Sequence, residues 1–249
     1  MKITNYRLSY GGEPIRAAMV ADFHDRDPEP ILAAIREAAP HVILVTGDVV
    51  HDASHTERAM AFLRGASIIA PTFCSIGNHE TKSGEDIVSR LAATGATVLD
   101  NAYVRFGDLV IGGLTSGFGR KQGRCCQTPA PQLDWLDDFC GEGGTKILLS
   151  HHPEYYAPYL AHRPVDLILS GHAHGGQWRA FGRGLFAPGQ GLFPYYTGGA
   201  YRGRNRLRGE QTLTADAPLM IVGLGLCDNA VIPRINNPEE LIILDFLRN

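Results

Sequence analysis

Residues 166–179 read DLILSGHAHGGQWR, and this stretch decides the fold. A short apolar run, Leu167–Leu169, is cut off by Gly171, and a polar motif, His172-Ala173-His174-Gly175-Gly176-Gln177, follows at once. Apolar runs of four to eight residues bounded by turn residues are typical of strands covered on both faces. The same grammar recurs four times. AAMVA (17–21) precedes Asp22-Phe23-His24, and VILVTG (42–47) precedes Asp48. TFCSIG (72–77) precedes Asn78-His79-Glu80, and KILLS (146–150) precedes His151-His152-Pro153. In open α/β sheets, ligands bind beyond the carboxyl ends of the strands. Five polar motifs in that position should therefore meet at one edge.

Between these strands lie helical patterns. They are expected over 29–39, stopped by Pro40; over 54–65, with Ser54 as N-cap and Glu57 completing a capping box; over 84–94, ended by Gly95; and over 130–140. TVLD and LVIGGLTS, within 97–116, suggest a strand pair turning at Gly107-Asp108. After residue 178 the pattern changes to short strands and Gly-rich loops, ending in MIVGLG and ELIILDFL. With no repeat or linker, the expectation is a single domain over 1–249. Its class is α/β, with two packed sheets.

Composition narrows the function classes. The 249 residues suffice for a large core, and 44% apolar with 20% charged content is that of an ordinary globular chain. A net charge of −3 argues against nucleic acid as partner. No apolar run reaches the roughly 18 residues of a membrane span. The N-terminus lacks an apolar signal core, so the cytoplasm is the expected compartment. Five cysteines without C-x-x-C spacing read as free thiols, the adjacent Cys125 and Cys126 included.

The motifs supply the donors that two divalent ions need. Such a pair, about 3.5–4 Å apart, clamps a phosphoryl oxygen and activates water. It requires one carboxylate able to bridge. Asp48 is the candidate, because Gly47 before it permits a tight turn. Asp22 and His24, like His172 and His174, are two residues apart, which on a regular strand puts each pair on one face. Each motif alone is weak; their joint occurrence at strand ends is not.

D-x-H, G-D, G-N-H-E, H-x-P and G-H-x-H together resemble the signature of the calcineurin-like metallophosphoesterases. GHAHGGQWR, with APGQGLFPYYTGGAY, GLG and PRINNPEELIIL, resembles their bacterial YaeI/YkuE-like branch, over about residues 14–247. The resemblance implies the metallo-dependent phosphatase fold: two mixed β-sheets flanked by helices, an αββα sandwich. It implies that Asp22, His24 and His174 hold one metal, that Asn78, His151 and His172 hold the other, and that Asp48 bridges. His79 would face the phosphoryl group as acid or charge stabiliser, and Glu80 would orient it. His152 falls on the variable position of H-x-P. His51 stands where relatives commonly carry a supporting Asp, with Asp52 one residue later. The implied cofactor is a pair of divalent ions, Mn²⁺ first, with Fe, Zn or Mg as alternatives.

The implied activity is phosphodiester or pyrophosphate hydrolysis by metal-activated hydroxide. A phosphomonoesterase and a lipid-linked nucleotide pyrophosphatase are the alternatives. A non-catalytic protein-binding scaffold is a further one, disfavoured because ligands and motif His are all present, and no protein partner is evident. Residues 178–208 interleave arginines with Phe, Tyr and Trp. They are expected either to be a solvated basic hairpin or to form a substrate wall, with Arg179, Arg202 and Tyr195 as contacts. Such a wall suits a small-molecule or lipid-linked phosphodiester and a peripheral membrane contact. His41, His55 and His162 lie outside the motifs and read as surface or structural.

Overall fold

The computed structural model describes residues 1–119, 127–227 and 233–248. The chain begins with β1 (Lys2–Tyr10), β2 (Ile15–Val20), α1 (Glu29–Ala38), β3 (Val42–Val45), α2 (Glu57–Ile69) and β4 (Thr72–Ser75). It continues through α3 (Asn78–Ser83), α4 (Glu85–Ala92), β5 (Thr97–Leu99), β6 (Ala102–Phe106), β7 (Leu109–Leu114), α5 (Leu136–Gly141), β8 (Thr145–Ser150) and β9 (Leu167–Ser170). Four two-residue strands follow: β10 (Arg179–Ala180), β11 (Arg183–Gly184), β12 (Phe186–Ala187) and β13 (Gly191–Leu192). Last come β14 (Gly199–Arg202), β15 (Asn205–Leu207), β16 (Gln211–Thr212), β17 (Leu219–Val222) and β18 (Glu240–Arg248).

Two mixed sheets result. One has the order β16-β1-β18-β2-β3-β4-β5, the other β15-β14-β17-β9-β8-β7-β6. Alternation along each strand sends side chains into two different layers. Ala17 and Met19 of β2 join Leu44, Ile147, Leu169, Ile221 and Leu244 between the sheets. Ala18 and Val20 instead meet Ile35, Phe62 and Leu63 under the helices of the first sheet. On the far face of the second sheet, Leu148 and Ile168 pack with Phe139 and Tyr156. This is the αββα sandwich expected.

Strands β2, β3 and β4 are mutually parallel in one sheet, as are β8, β9 and β17 in the other. The two sets end at a common edge. Leu226 N–H to Ala21 O joins that edge across the sheets, while Gly171 N–H to His151 O and His24 N–H to Asp48 O tie neighbouring loops within each sheet.

Three local expectations need correction. Thr97–Leu99 does not pair with β7. It adds to β4 in the first sheet, and the partner of β7 across Gly107-Asp108 is β6. β6 is a half-exposed edge strand whose pattern (AYVRF) carries a weak apolar signal. Helix α2 starts at Glu57, not Ser54, because the Asp52 carboxylate accepts the Ser54 and His55 N–H groups and holds them in a turn. Helix α5 covers only Leu136–Gly141 of the expected 130–140. The Cys125-Cys126 pair lies outside the described residues. Cys74 and Cys140 are free thiols.

Candidate metal centre

Four of the five motifs supply two clusters, and Asn78-His79-Glu80 adjoins them through His79 and Glu80 contacts to Asp48. Donor atoms of Asp22, His24 and His174 lie within 4.8 Å of one another, and so do those of Asp48, His151 and His172. All six residues are buried. Asp48 lies between the clusters. Its Oδ2 is 2.9 Å from His151 Nε2 and 3.8 Å from His24 Nε2. Asp22 Oδ1 lies 3.7 Å from His174 Nε2 and 3.9 Å from His151 Nε2. Asn78 opens α3, with its side chain buried.

The backbone at these positions is unusual. Asp22, His24, Asp48, His172 and His174 all have positive φ, between 44° and 61°. Each costs on the order of 1 kcal/mol, and such residues cluster at functional sites. The expectation that i, i+2 spacing on a strand aligns Asp22 with His24 is therefore corrected. Both lie past the end of β2, and left-handed turns, not strand alternation, bring them together.

Backbone carbonyls and amides hold the donors in place. His151 Nδ1 meets Thr46 O at 2.8 Å, leaving Nε2 toward Asp48. Asp22 Oδ1 accepts the His172 N–H, and Asp48 Oδ1 accepts the His79 N–H. Asn237 donates from Nδ2 to His174 O at 2.7 Å. Thr46 and Asn237 were not singled out individually. Asn237 lies within the PRINNPEELIIL segment, but its carbonyl partner has no local sequence signal. Gly77 is a case of close approach: a Cβ there would fall well inside contact distance of Asp48 Oδ1. Gly77→Ala is thus expected to push the Asp48 carboxylate aside and lower metal affinity by about 10-fold or more, on the scale of lost ligand support. Metal titration of the variant checks this.

Glu80 has a different task from the one expected. It does not orient His79. Its two oxygens accept four backbone N–H groups, from Gly77, Asp48, Val49 and Val50, at 2.7–3.0 Å. The turns after β3 and β4 would otherwise bury those amides unpaired. His79 is held instead by the backbone carbonyl of His51, which meets its Nδ1. Its Nε2 then lies 3.9 Å from Asp48 Oδ2, on a side chain that is 26% exposed. The His51 side chain is exposed, with its ring 5.7 Å from that of His79 and 5.9 Å from that of His24. Asp52 is engaged with His55.

Burial holds the His24 and His172 imidazoles well below their usual range, and lowers His174. Neutral imidazole is the form that binds metal. Burial would also lower His151, but the Asp48 carboxylate pushes it up to about 10. A cation seated beside Asp48 would do what that proton does.

The donor set fits divalent metals on a direct observation. Asp22 Oδ2, both nitrogens of His24, Asn78 Oδ1 and His174 Nδ1 are buried with no hydrogen-bond partner among the described residues. Unpaired buried polar atoms are costly, so their convergence marks a ligand.

The substrate contacts expected in 178–208 are placed differently. Arg179 donates to the carbonyls of Gly175, Thr197 and Gly182, and Arg202 to those of Ala217 and Thr212. Both guanidinium groups are committed to bracing loops. Tyr195 is exposed, with the Arg204 guanidinium 4.7 Å above its ring.

An αββα sandwich with buried His and Asp clusters at a shared strand-end edge is an architecture able to hold metal ions. The sequence pattern of the calcineurin-like phosphoesterase family matches residues 15–176, and the chain belongs to that family. It is 32% identical over 151 residues to a metallophosphoesterase of Helicobacter pylori, covering 59% of this chain and 39% of that protein. It is 28% identical over 200 residues to the phosphodiesterase YaeI of Escherichia coli, covering 72% and 68%. It is 26% identical over 169 residues to the metallophosphoesterase YkuE of Bacillus subtilis, covering 61% and 53%. The chain thus spans well under half the length of the Helicobacter relative.

Proposed function

We propose that the protein is a dimetal-dependent phosphodiesterase that hydrolyses a phosphodiester or pyrophosphate bond. The observation that carries this is a pair of buried three-donor clusters with the Asp48 carboxylate between them. Asp22, His24 and His174 would hold one ion, and Asn78, His151 and His172 the other, with Asp48 shared. Bound there, the ions supply Lewis acidity and a nucleophile from water at neutral pH. Mn²⁺ is the first choice and Fe, Zn or Mg the alternatives, since the N/O donors suit all four. His79 keeps Nε2 free to protonate the leaving oxygen or to stabilise charge on the phosphoryl group. The His51 carbonyl accepts the Nδ1 proton, so as an imidazolium the ring would present Nε2–H to the substrate.

The test uses metal-stripped protein with bis(p-nitrophenyl) phosphate and p-nitrophenyl phosphate side by side. Added Mn²⁺ is expected to restore cleavage, with the diester preferred. A monoester preference would turn the assignment to a phosphomonoesterase.

The proposed substrate is a small or lipid-linked diester, and the proposed place of action is the cytoplasm, at an anionic membrane surface. Phe181 is fully exposed, Leu192 and Phe193 are about three-quarters exposed, and Arg183 and Arg204 accompany them. A groove of about 560 Å³ runs among Phe181, Arg183, Phe193, Tyr195, Arg204 and Arg206. Apolar side chains with cations beside them suit anionic headgroups. Among the described residues, no helix is long and apolar enough to cross a membrane. The protein should sediment with vesicles containing anionic phospholipid, and Phe181→Asp with Phe193→Asp should abolish this. No binding by the unaltered protein would remove the membrane from the proposal.

A further inference from the structure

His172 has a second carboxylate neighbour outside the two clusters. Glu154 Oε1 lies 3.8 Å from His172 Nε2 and 3.4 Å from His152 Nδ1, and it accepts the Thr128 hydroxyl. The rings of His152 and His172 meet edge to face, with centroids 4.2 Å apart. Ser116 Oγ lies 2.7 Å from His152 Nε2. Glu154 Oε2 and His152 Nδ1 are buried without a hydrogen-bond partner. The seat is tightly built: Gly189, at φ +71°, leaves no room for a Cβ against Glu154 Oε1 and Thr128 Oγ1.

Donor atoms of His152, Glu154 and His172 lie within 4.8 Å of one another, which would also describe a third cation site. The chemistry of imidazole decides against it. A neutral ring has one acceptor nitrogen, and the other carries hydrogen. His172 presents Nε2 to Glu154, which leaves Nδ1 for the ion shared with Asp48 and His151. With its lone pair used there, His172 has a proton, not a ligand, for Glu154. Two remaining protein donors are too few for a bound divalent ion, which commonly takes at least three.

We propose that Glu154 is a positioning residue for the metal centre. Closing from the present 3.8 Å when the centre is loaded, it would accept the Nε2 proton of His172, and so fix the tautomer and ring orientation that offer Nδ1 to the metal. The Thr128 hydroxyl holds the carboxylate in turn, His152 Nδ1 stands 3.4 Å from it, and Ser116 donates to His152 Nε2. Metal-bound imidazoles usually pass their other N–H to a carboxylate, carbonyl or water in this way. Neither Glu154 nor His152 would touch substrate. The inference rests on the dimetal reading.

Metal-stripped unaltered protein, Glu154→Gln and Glu154→Asp are titrated with Mn²⁺ by calorimetry, with bound metal counted by mass spectrometry. The unaltered protein is expected to take two ions. Glu154→Gln should weaken one of the two binding events by about 10–100-fold. Glu154→Asp should recover part of that loss. Thermal unfolding of the metal-free proteins should stay the same, which a merely structural role would not allow. Unchanged binding in Glu154→Gln overturns the inference alone. Three ions in the unaltered protein, falling to two in Glu154→Gln, overturn it in favour of a third cation site. No metal uptake by the unaltered protein overturns the dimetal reading and this inference with it.

Discussion

Asp48→Asn is expected to leave the protein folded, with fewer than two ions bound and kcat/KM down by about 10³-fold or more, several kcal/mol of lost metal-centred stabilisation. The fold should survive because Asp48 sits at φ 51°, a left-handed conformation that Asn adopts readily. The Glu80 contacts to the 48–50 backbone are also untouched by the change. The site should not survive. Asp48 Oδ2 approaches both His151, at 2.9 Å, and His24, and Asp22, the other carboxylate, comes no nearer than 3.9 Å to His151. An amide offers one weaker oxygen and turns two protons toward groups that should face cations. Metal content by mass spectrometry, with thermal unfolding as control, is the measurement. Two ions retained at unaltered affinity would rule out a shared Asp48.

His79→Asn should have the opposite signature. Both ions should remain while kcat falls by roughly 10²–10⁴-fold, the scale for a positioned acid or charge stabiliser. The contact that ties this residue to the site, His79 N–H to Asp48 Oδ1, is made by the backbone and persists whatever the side chain. Only the ring, held by the His51 carbonyl, is lost. The alternative is concrete, because imidazole nitrogens of His24, His51 and His79 also lie within 4.8 Å of one another. A His79→Asn protein that loses a metal would make His79 a ligand.

The helices illustrate where legibility stops. α1 runs from Glu29 to Ala38, close to the apolar period of 29–39, because helix periodicity is local. The start of α2 is hard to read because capping signals compete: Ser54 with Glu57 resembles a box, yet Asp52 takes the Ser54 amide that Glu57 would need. Glu80 shows the same limit at the site. Its place beside His79 suggested an orienting carboxylate, while its real partners are the unpaired amides of the Asp48 turn, some thirty residues earlier.

The donors themselves, and their position just beyond apolar strands, were determined by sequence alone. Residue type sets the chemistry, and a strand end is a local event marked by Gly, Asp or His after an apolar run. What only the tertiary structure decided is what steadies them: the carbonyls of Thr46 and His51, and Asn237 behind His174. Those relations depend on which loops face each other. That follows from strand order, in which β18 inserts between β1 and β2 and pairs Thr4 with Ile242, across more than two hundred residues. No local period carries such a pairing. It exists only once burial has stacked the two sheets and brought their carboxyl ends to one edge.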